Sequence, residues 1–138
     1  MNTLEEIYAR TSPMTLGELI DALKGLELPE RLSEDEFLVA FDFGYRIPAD
    51  MGSYRGYYDH VAIIAGRGQS YGVPVSKVLK MLEANVGCTM HGYKGGEYPI
   101  TLDCPCWVVE SDADAPDVGI VGVHHGGYKA TICTRVFD

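Results

Sequence analysis

Several things are scarce in this 138-residue chain, and each scarcity excludes a class of protein. No apolar run approaches the ~18 residues of a membrane-spanning helix, so no membrane partner is expected. The first ten residues, MNTLEEIYAR, hold two glutamates and no apolar core, which does not read as a secretory signal. Four cysteines are too few for a disulfide scaffold. They read as reduced thiols, and the expected compartment is the cytoplasm. Bases are also few: 11 Lys and Arg stand against 20 Asp and Glu, a formal charge of −9. Such a surface repels polyphosphate, so neither a nucleic-acid polymer nor an anionic membrane is expected as a partner.

Hydrophobic residues make up 46% and charged residues 22%, which excludes bulk disorder. The length suits one hydrophobic core, and residues 1–138 read as a single domain. The unusual abundances are 16 glycines and 9 tyrosines. They are not evenly spread. Residues 1–36 hold nine acids and three bases, whereas residues 44–98 hold four acids and six bases. The second segment also holds seven of the tyrosines and ten of the glycines. A weakly basic, aromatic, glycine-rich middle thus sits inside an acidic chain.

Hydrophobic spacing predicts a short helix over residues 3–10 and a second over 15–25. Thr15 and Glu18 form a capping-box pattern ahead of an apolar stripe of Leu16, Leu19, Ile20 and Leu23. Ser76–Asn85 reads as a third helix, with Gly87 as its stop. Strands are expected at Phe37–Phe43, His60–Ala65 and Trp107–Glu110. Val118–His124 and Tyr128–Val136 read as a hairpin turned by Gly126 and Gly127. The sum is an α+β fold: about three helices packed on a mainly antiparallel sheet. Between the first two strands lie about 16 residues read as a long loop, of the kind that is often functional when ordered.

Two motifs carry candidate binding chemistry. Ser53-Tyr54-Arg55-Gly56-Tyr57-Tyr58 places a guanidinium among flat aromatic faces, with a glycine permitting close backbone approach. Tyr93-Lys94-Gly95-Gly96 with Tyr98 adds an ammonium and a glycine pair whose amides are expected to cradle an anion. The spacing is not that of a Walker A loop. A tyrosine-rich loop packed under its own rings, and a plain turn with a solvated lysine, explain the same residues. Gly66–Gly72 is a weaker third candidate of the same type.

Catalytic and metal chemistry have less behind them. Cys104-Pro105-Cys106 is C-x-C, and the adjacent His124 and His125 point to opposite faces of a strand, so no metal or other cofactor is expected. A Cys88–His91 pair, or Asp42 and Asp59 flanking the long loop, would be needed for nucleophilic or carboxylate chemistry, and no G-x-S-x-G elbow is present. His60 and His91 adjoin the two ligand-like loops and are the candidate acid–base groups for a hydrolase or phosphodiesterase, with Asp59 or Glu97. A further alternative is a protein-interaction module using the acidic segments 1–36 and 110–117.

SYRGYY at 53–58, VPVSKV at 73–78 and GYKGGEY at 92–98 together carry a resemblance. The chain resembles a group of small proteins encoded by bacteriophages and their bacterial hosts, from the helix at 15–25 to about Trp107. Residues from Asp112 onward do not share it. No activity comes with the resemblance, but it implies a phage context, with action in the host cytoplasm. Small acidic phage proteins often counter host defence, and one class withholds a cyclic nucleotide immune signal without cleaving it. The resulting expectation is a sponge-like binder of a phosphorylated, nucleotide-like ligand, contacted by Ser53, Tyr54, Arg55, Gly56, Tyr57, Tyr58, Tyr93, Lys94, Gly95, Gly96 and Tyr98. A homo-oligomer is expected, because two chains enclose a ligand that one small domain cannot.

Overall fold

A computed structural model describes residues 3–67, 72–110 and 116–137. Among the described residues there are three helices: α1 (Leu4–Tyr8), α2 (Leu16–Lys24) and α3 (Val75–Asn85). The strands are β1 (Leu38–Phe41), β2 (Arg46–Ser53), β3 (Val61–Arg67), β4 (Val73–Pro74), β5 (Thr89–His91), β6 (Glu97–Pro99), β7 (Cys106–Val109), β8 (Val118–His125) and β9 (Lys129–Val136). Seven strands form one sheet in the order β2-β3-β7-β8-β9-β1-β4, and β5 pairs with β6 in a separate hairpin. Two pairings, β1 with β9 and β3 with β7, are parallel, and the rest are antiparallel. The fold is therefore α+β with a mostly antiparallel mixed sheet. No helix among the described residues is long and apolar enough to cross a membrane.

The two longer helices cover one face of the sheet. Alternating strand residues such as Val61, Ile63, Cys106, Val108, Ile120 and Ile132 point into this layer. From α2 they meet Leu16, Leu19, Ile20 and Leu23, and from α3 Val75, Val78 and Leu82. Each such side chain stabilises the fold by about 1.5–3 kcal/mol when fully buried.

The other face is covered from two sides. Ile7 of α1 packs on Val121 and Cys133. Gly122 makes the approach possible, since a Cβ there would lie 2.5 Å from Ile7 Cγ2. Tyr8 Oη donates to Asp42 Oδ2 at 2.7 Å, while the Thr134 amide and hydroxyl also donate to Asp42. This carboxylate ties α1 to the ends of β1 and β9. Tyr54, from the segment after β2, covers Trp107 of β7.

Two expected loops contain strands. Half of the long loop is β2, whose alternation is broken by Pro48, Gly52 and a register shift between Pro48 and Asp50. β2 lies at the sheet edge, where a proline and a bulge are tolerated because one side of the strand needs no partner. The segment around residues 91–98 is the tip and second strand of a hairpin, with His91 opposite Glu97. Its strands are three residues each, too short to show a period.

The capping box is formed as read. The Glu18 amide donates to Thr15 Oγ1 at 3.2 Å, and the Thr15 amide donates to Glu18 Oε1 at 3.0 Å. Arg10 Nη2 reaches the same carboxylate at 2.8 Å. The backbone bond from Thr15, then Arg10, hold the Glu18 carboxyl below its ordinary value. A depressed carboxyl stabilises the fold above its unfolded pKa of roughly 4.3, and that contribution is lost as pH falls through the lower folded value. Glu18→Gln should therefore be less stable than the parent at pH 7, with the gap in urea midpoint closing as pH falls below the ordinary carboxylate range. A gap independent of pH would remove the carboxylate's role in the cap.

Candidate functional site

The segment after β2 reverses direction over two left-handed residues, Arg55 (φ 50°) and Gly56 (φ 75°). The Tyr57 amide closes this turn on Tyr54 O at 2.8 Å. Asp59, at φ 61°, is a third left-handed residue just before β3. Left-handed backbone at non-glycine residues persists only where surrounding contacts hold it.

Those contacts come from the β5–β6 hairpin. The Tyr93 amide donates to Gly56 O at 2.8 Å. A Cβ on Gly56 would sit 2.6 Å from Tyr93 Cβ and 2.7 Å from its nitrogen. The Tyr58 ring lies against Gly92, where a Cβ would fall 2.2 Å from Cζ, and its hydroxyl accepts from the Gly96 amide at 3.2 Å. Tyr98 is buried; its hydroxyl donates to His60 O at 2.7 Å, so Ser53 Oγ donates to Tyr98 Oη at 2.9 Å. The two motifs read from the sequence therefore adjoin.

Behind them lies an aromatic stack. Tyr54, 2% exposed, stacks on the indole of Trp107 at 4.9 Å with an interplanar angle of 9°. Tyr57 meets Tyr54 edge-on, and Phe137 meets Trp107 edge-on. Tyr54 Oη donates to Asp117 Oδ1. Burial first, and this bond second, push the Tyr54 phenol well above its ordinary pKa, so it stays protonated. Burial likewise raises Tyr98. Arg55 Nη1 lies 3.7 Å from Asp117 Oδ1, and its guanidinium sits 5.5 Å from the Tyr54 ring centre. Trp107 Nε1 donates to His60 Nδ1 at 2.8 Å.

These positions divide the expected residues into two groups. Tyr54, Tyr98 and Ser53 build the site from within. The buried Tyr54 and Tyr98 rings and hydroxyls, expected to stack on or hydrogen-bond a ligand, are engaged with Trp107, Asp117, His60 and Ser53. The amides of Gly92, Tyr93, Gly95 and Gly96 all donate within the protein, to Gly96 O, Gly56 O, Gly92 O and Tyr58 Oη. The expected anion cradle at Gly95-Gly96 is therefore corrected too: these glycines make room for Tyr58 and for the hairpin turn. What faces outward is Arg55, Tyr57, Tyr58, Tyr93 and Lys94. Lys94 Nζ lies 5.5 Å from the Tyr93 ring centre, with no carboxylate in ion-pair range among the described residues.

The other candidates lie elsewhere. Asp42 is held by Tyr8 and Thr134, so it does not flank the 54–60 segment with Asp59. Cys104, Cys106 and Cys133 are buried and Cys88 is exposed. Burial pushes the Cys106 thiol far up, away from thiolate chemistry. Among the described residues no group of three or more His, Cys, Asp or Glu is placed to hold a metal. His125 Nε2 bonds Glu27 O, and its ring contacts Phe37. Most of Gly66–Gly72 (residues 68–71) and of the Asp112–Asp117 turn (residues 111–115) lies outside the described residues.

Concavities among the described residues lie away from the motifs. A groove of about 390 Å³ runs between β2 and α3, lined by Ile47, Asp50, Lys77 and Met81. An apolar cleft of about 320 Å³ is lined by Phe43, Val108, Val118 and Val136. A third, of about 220 Å³, lies between α2 and α3.

Trp107, Asp117 and Phe137 were not singled out from the sequence. The one local signal was that Trp107 is the only tryptophan of the chain. No family model, curated protein or solved structure matches the chain.

Proposed function

We propose that the outward surface formed by Arg55, Tyr57, Tyr58, Tyr93 and Lys94 binds a small phosphorylated, nucleotide-like ligand and does no chemistry on it. The observation that carries this reading is the Gly56–Tyr93 junction. It joins two cations and three exposed tyrosines, drawn from segments about 38 residues apart, into one surface of an otherwise acidic protein. Arg55 suits a phosphate bidentately, and Lys94 adds a point charge. The exposed ring of Tyr93, with Tyr57 beside Arg55, offers flat faces to a base. Binding fits these groups better than hydrolysis does, because the His60 ring nitrogen nearest the stack already accepts from Trp107.

A second copy of the chain closing over this surface would raise affinity by enclosing the ligand. In a phage setting such a protein withholds a cyclic nucleotide signal. A fate assay tests the proposal directly. The purified protein is incubated with cyclic dinucleotides, cyclic trinucleotides, cyclic ADP-ribose isomers and ADP, then filtered, and both fractions are analysed by mass spectrometry. The expected outcome is a ligand retained with the protein and recovered intact after denaturation. Recovery of a cleaved product replaces binding with catalysis, and a panel left wholly in the filtrate defeats the nucleotide reading.

A further inference from the structure

Trp107 determines which nitrogen of His60 carries the proton. An indole N–H donates and never accepts. It lies 2.8 Å from His60 Nδ1, so Nδ1 is the acceptor. The single proton of the neutral ring is then on Nε2. The ring cannot easily turn to exchange the two nitrogens. Tyr57 stands edge-on to it at 6.0 Å, Trp107 lies nearly parallel at 6.1 Å, and the His60 carbonyl is held by Tyr98. His60 is half-buried, and among the described residues no hydrogen bond engages its Nε2.

We propose that His60 is a ligand-binding residue of this surface, presenting Nε2–H as a fixed donor to an acceptor atom of the ligand, and that Trp107 is the residue that positions it. This rests on the reading of the surface given above and narrows the ligand. The ligand carries a hydrogen-bond acceptor near Tyr57, and a phosphodiester oxygen is one that fits. The arrangement also sets His60 against general-base work. Its one lone pair in the ring plane is occupied by an N–H, and accepting a substrate proton there would break the Trp107 bond.

Long-range proton–nitrogen correlation spectra of histidine-labelled protein read the tautomer, with His60→Gln assigning the resonance among the four histidines. The wild-type ring should be protonated on Nε2. Trp107→Phe keeps a ring in the stack and removes only the donor; it should yield a mixture of tautomers. Titration with the same panel of cyclic nucleotides and ADP gives the second readout. His60→Ala should weaken binding about tenfold, whereas His60→Gln, which retains an amide donor, should stay within about threefold of the parent. A wild-type ring protonated on Nδ1 overturns the inference and leaves the surface reading in place. So does a His60→Ala protein that binds like the parent while Arg55→Ala does not. If no panel member binds the wild type, the surface reading and the ligand role of His60 fall together.

Discussion

Gly56→Ala should lower stability by about 2–3 kcal/mol and take ligand binding with it. The added methyl would lie 2.6 Å from Tyr93 Cβ, 2.7 Å from its nitrogen and 2.8 Å from its Cα. Carbon atoms that are not bonded prefer about 3.5–4.0 Å. The obstruction is the Tyr93 backbone and its Cβ, which no side-chain rotation moves. Alanine at φ 75° adds roughly 1 kcal/mol of backbone strain, and the Tyr93 amide would lose its bond to Gly56 O. For a chain of this size the melting temperature should fall by roughly 8–12 °C. Gly95→Ala is the matched control. Its φ is 81°, yet a Cβ there meets nothing within 4 Å, so only the backbone strain applies. Calorimetry of the two variants separates the effects: equal melting temperatures would mean that the loops do not press together at Gly56.

Arg55→Ala should do the reverse, leaving stability nearly intact and removing affinity. Its side chain is 40% exposed and stands 3.7 Å from Asp117. An exposed pair of this kind contributes about 0–1 kcal/mol. Bonds from a guanidinium to a phosphate are charge-assisted and contribute about 1.5–3 kcal/mol, so affinity for a nucleotide should drop roughly 10- to 100-fold. Arg55→Lys should fall between, since an ammonium keeps the charge and loses the planar fork. Affinity of the parent should also weaken as salt rises. Isothermal titration, with thermal melts run beside it, reads both quantities. Unchanged affinity in Arg55→Ala would take the phosphate away from this surface. A melt lowered by more than ~1 kcal/mol would make Arg55 a structural residue of the Asp117 cluster.

The local features of this protein were legible in the order of its residues. Thr15 and Glu18 meet across one helical turn, so their capping box needs nothing beyond the segment itself. The β8–β9 hairpin follows from two strand-forming runs around a glycine pair. The association of tyrosine, glycine and cation at 53–58 and 93–98 was also visible, because composition is a property of the chain alone. β2 was not visible. An edge strand with a proline, a bulge and a glycine lacks the alternation that marks a strand buried on one face.

The division of labour within the motifs was decided by tertiary contacts. Tyr54 and Tyr57 look equivalent in sequence, yet one is buried on Trp107 and the other is exposed. Gly92 and Gly96 look like a phosphate cradle and instead receive the Tyr58 ring. The bonds responsible span long separations: 63 residues from Tyr54 to Asp117, and 47 from Trp107 to His60. Nothing local encodes such a pairing, because it depends on which strands the sheet brings side by side. The sequence alone determined the helices, their stops and the chemical character of the middle segment, since each depends on neighbours within a turn or two. Which rings face inward, which nitrogen of His60 holds its proton and which cations face solvent were set only when β2, β3, β7 and the β5–β6 hairpin came together.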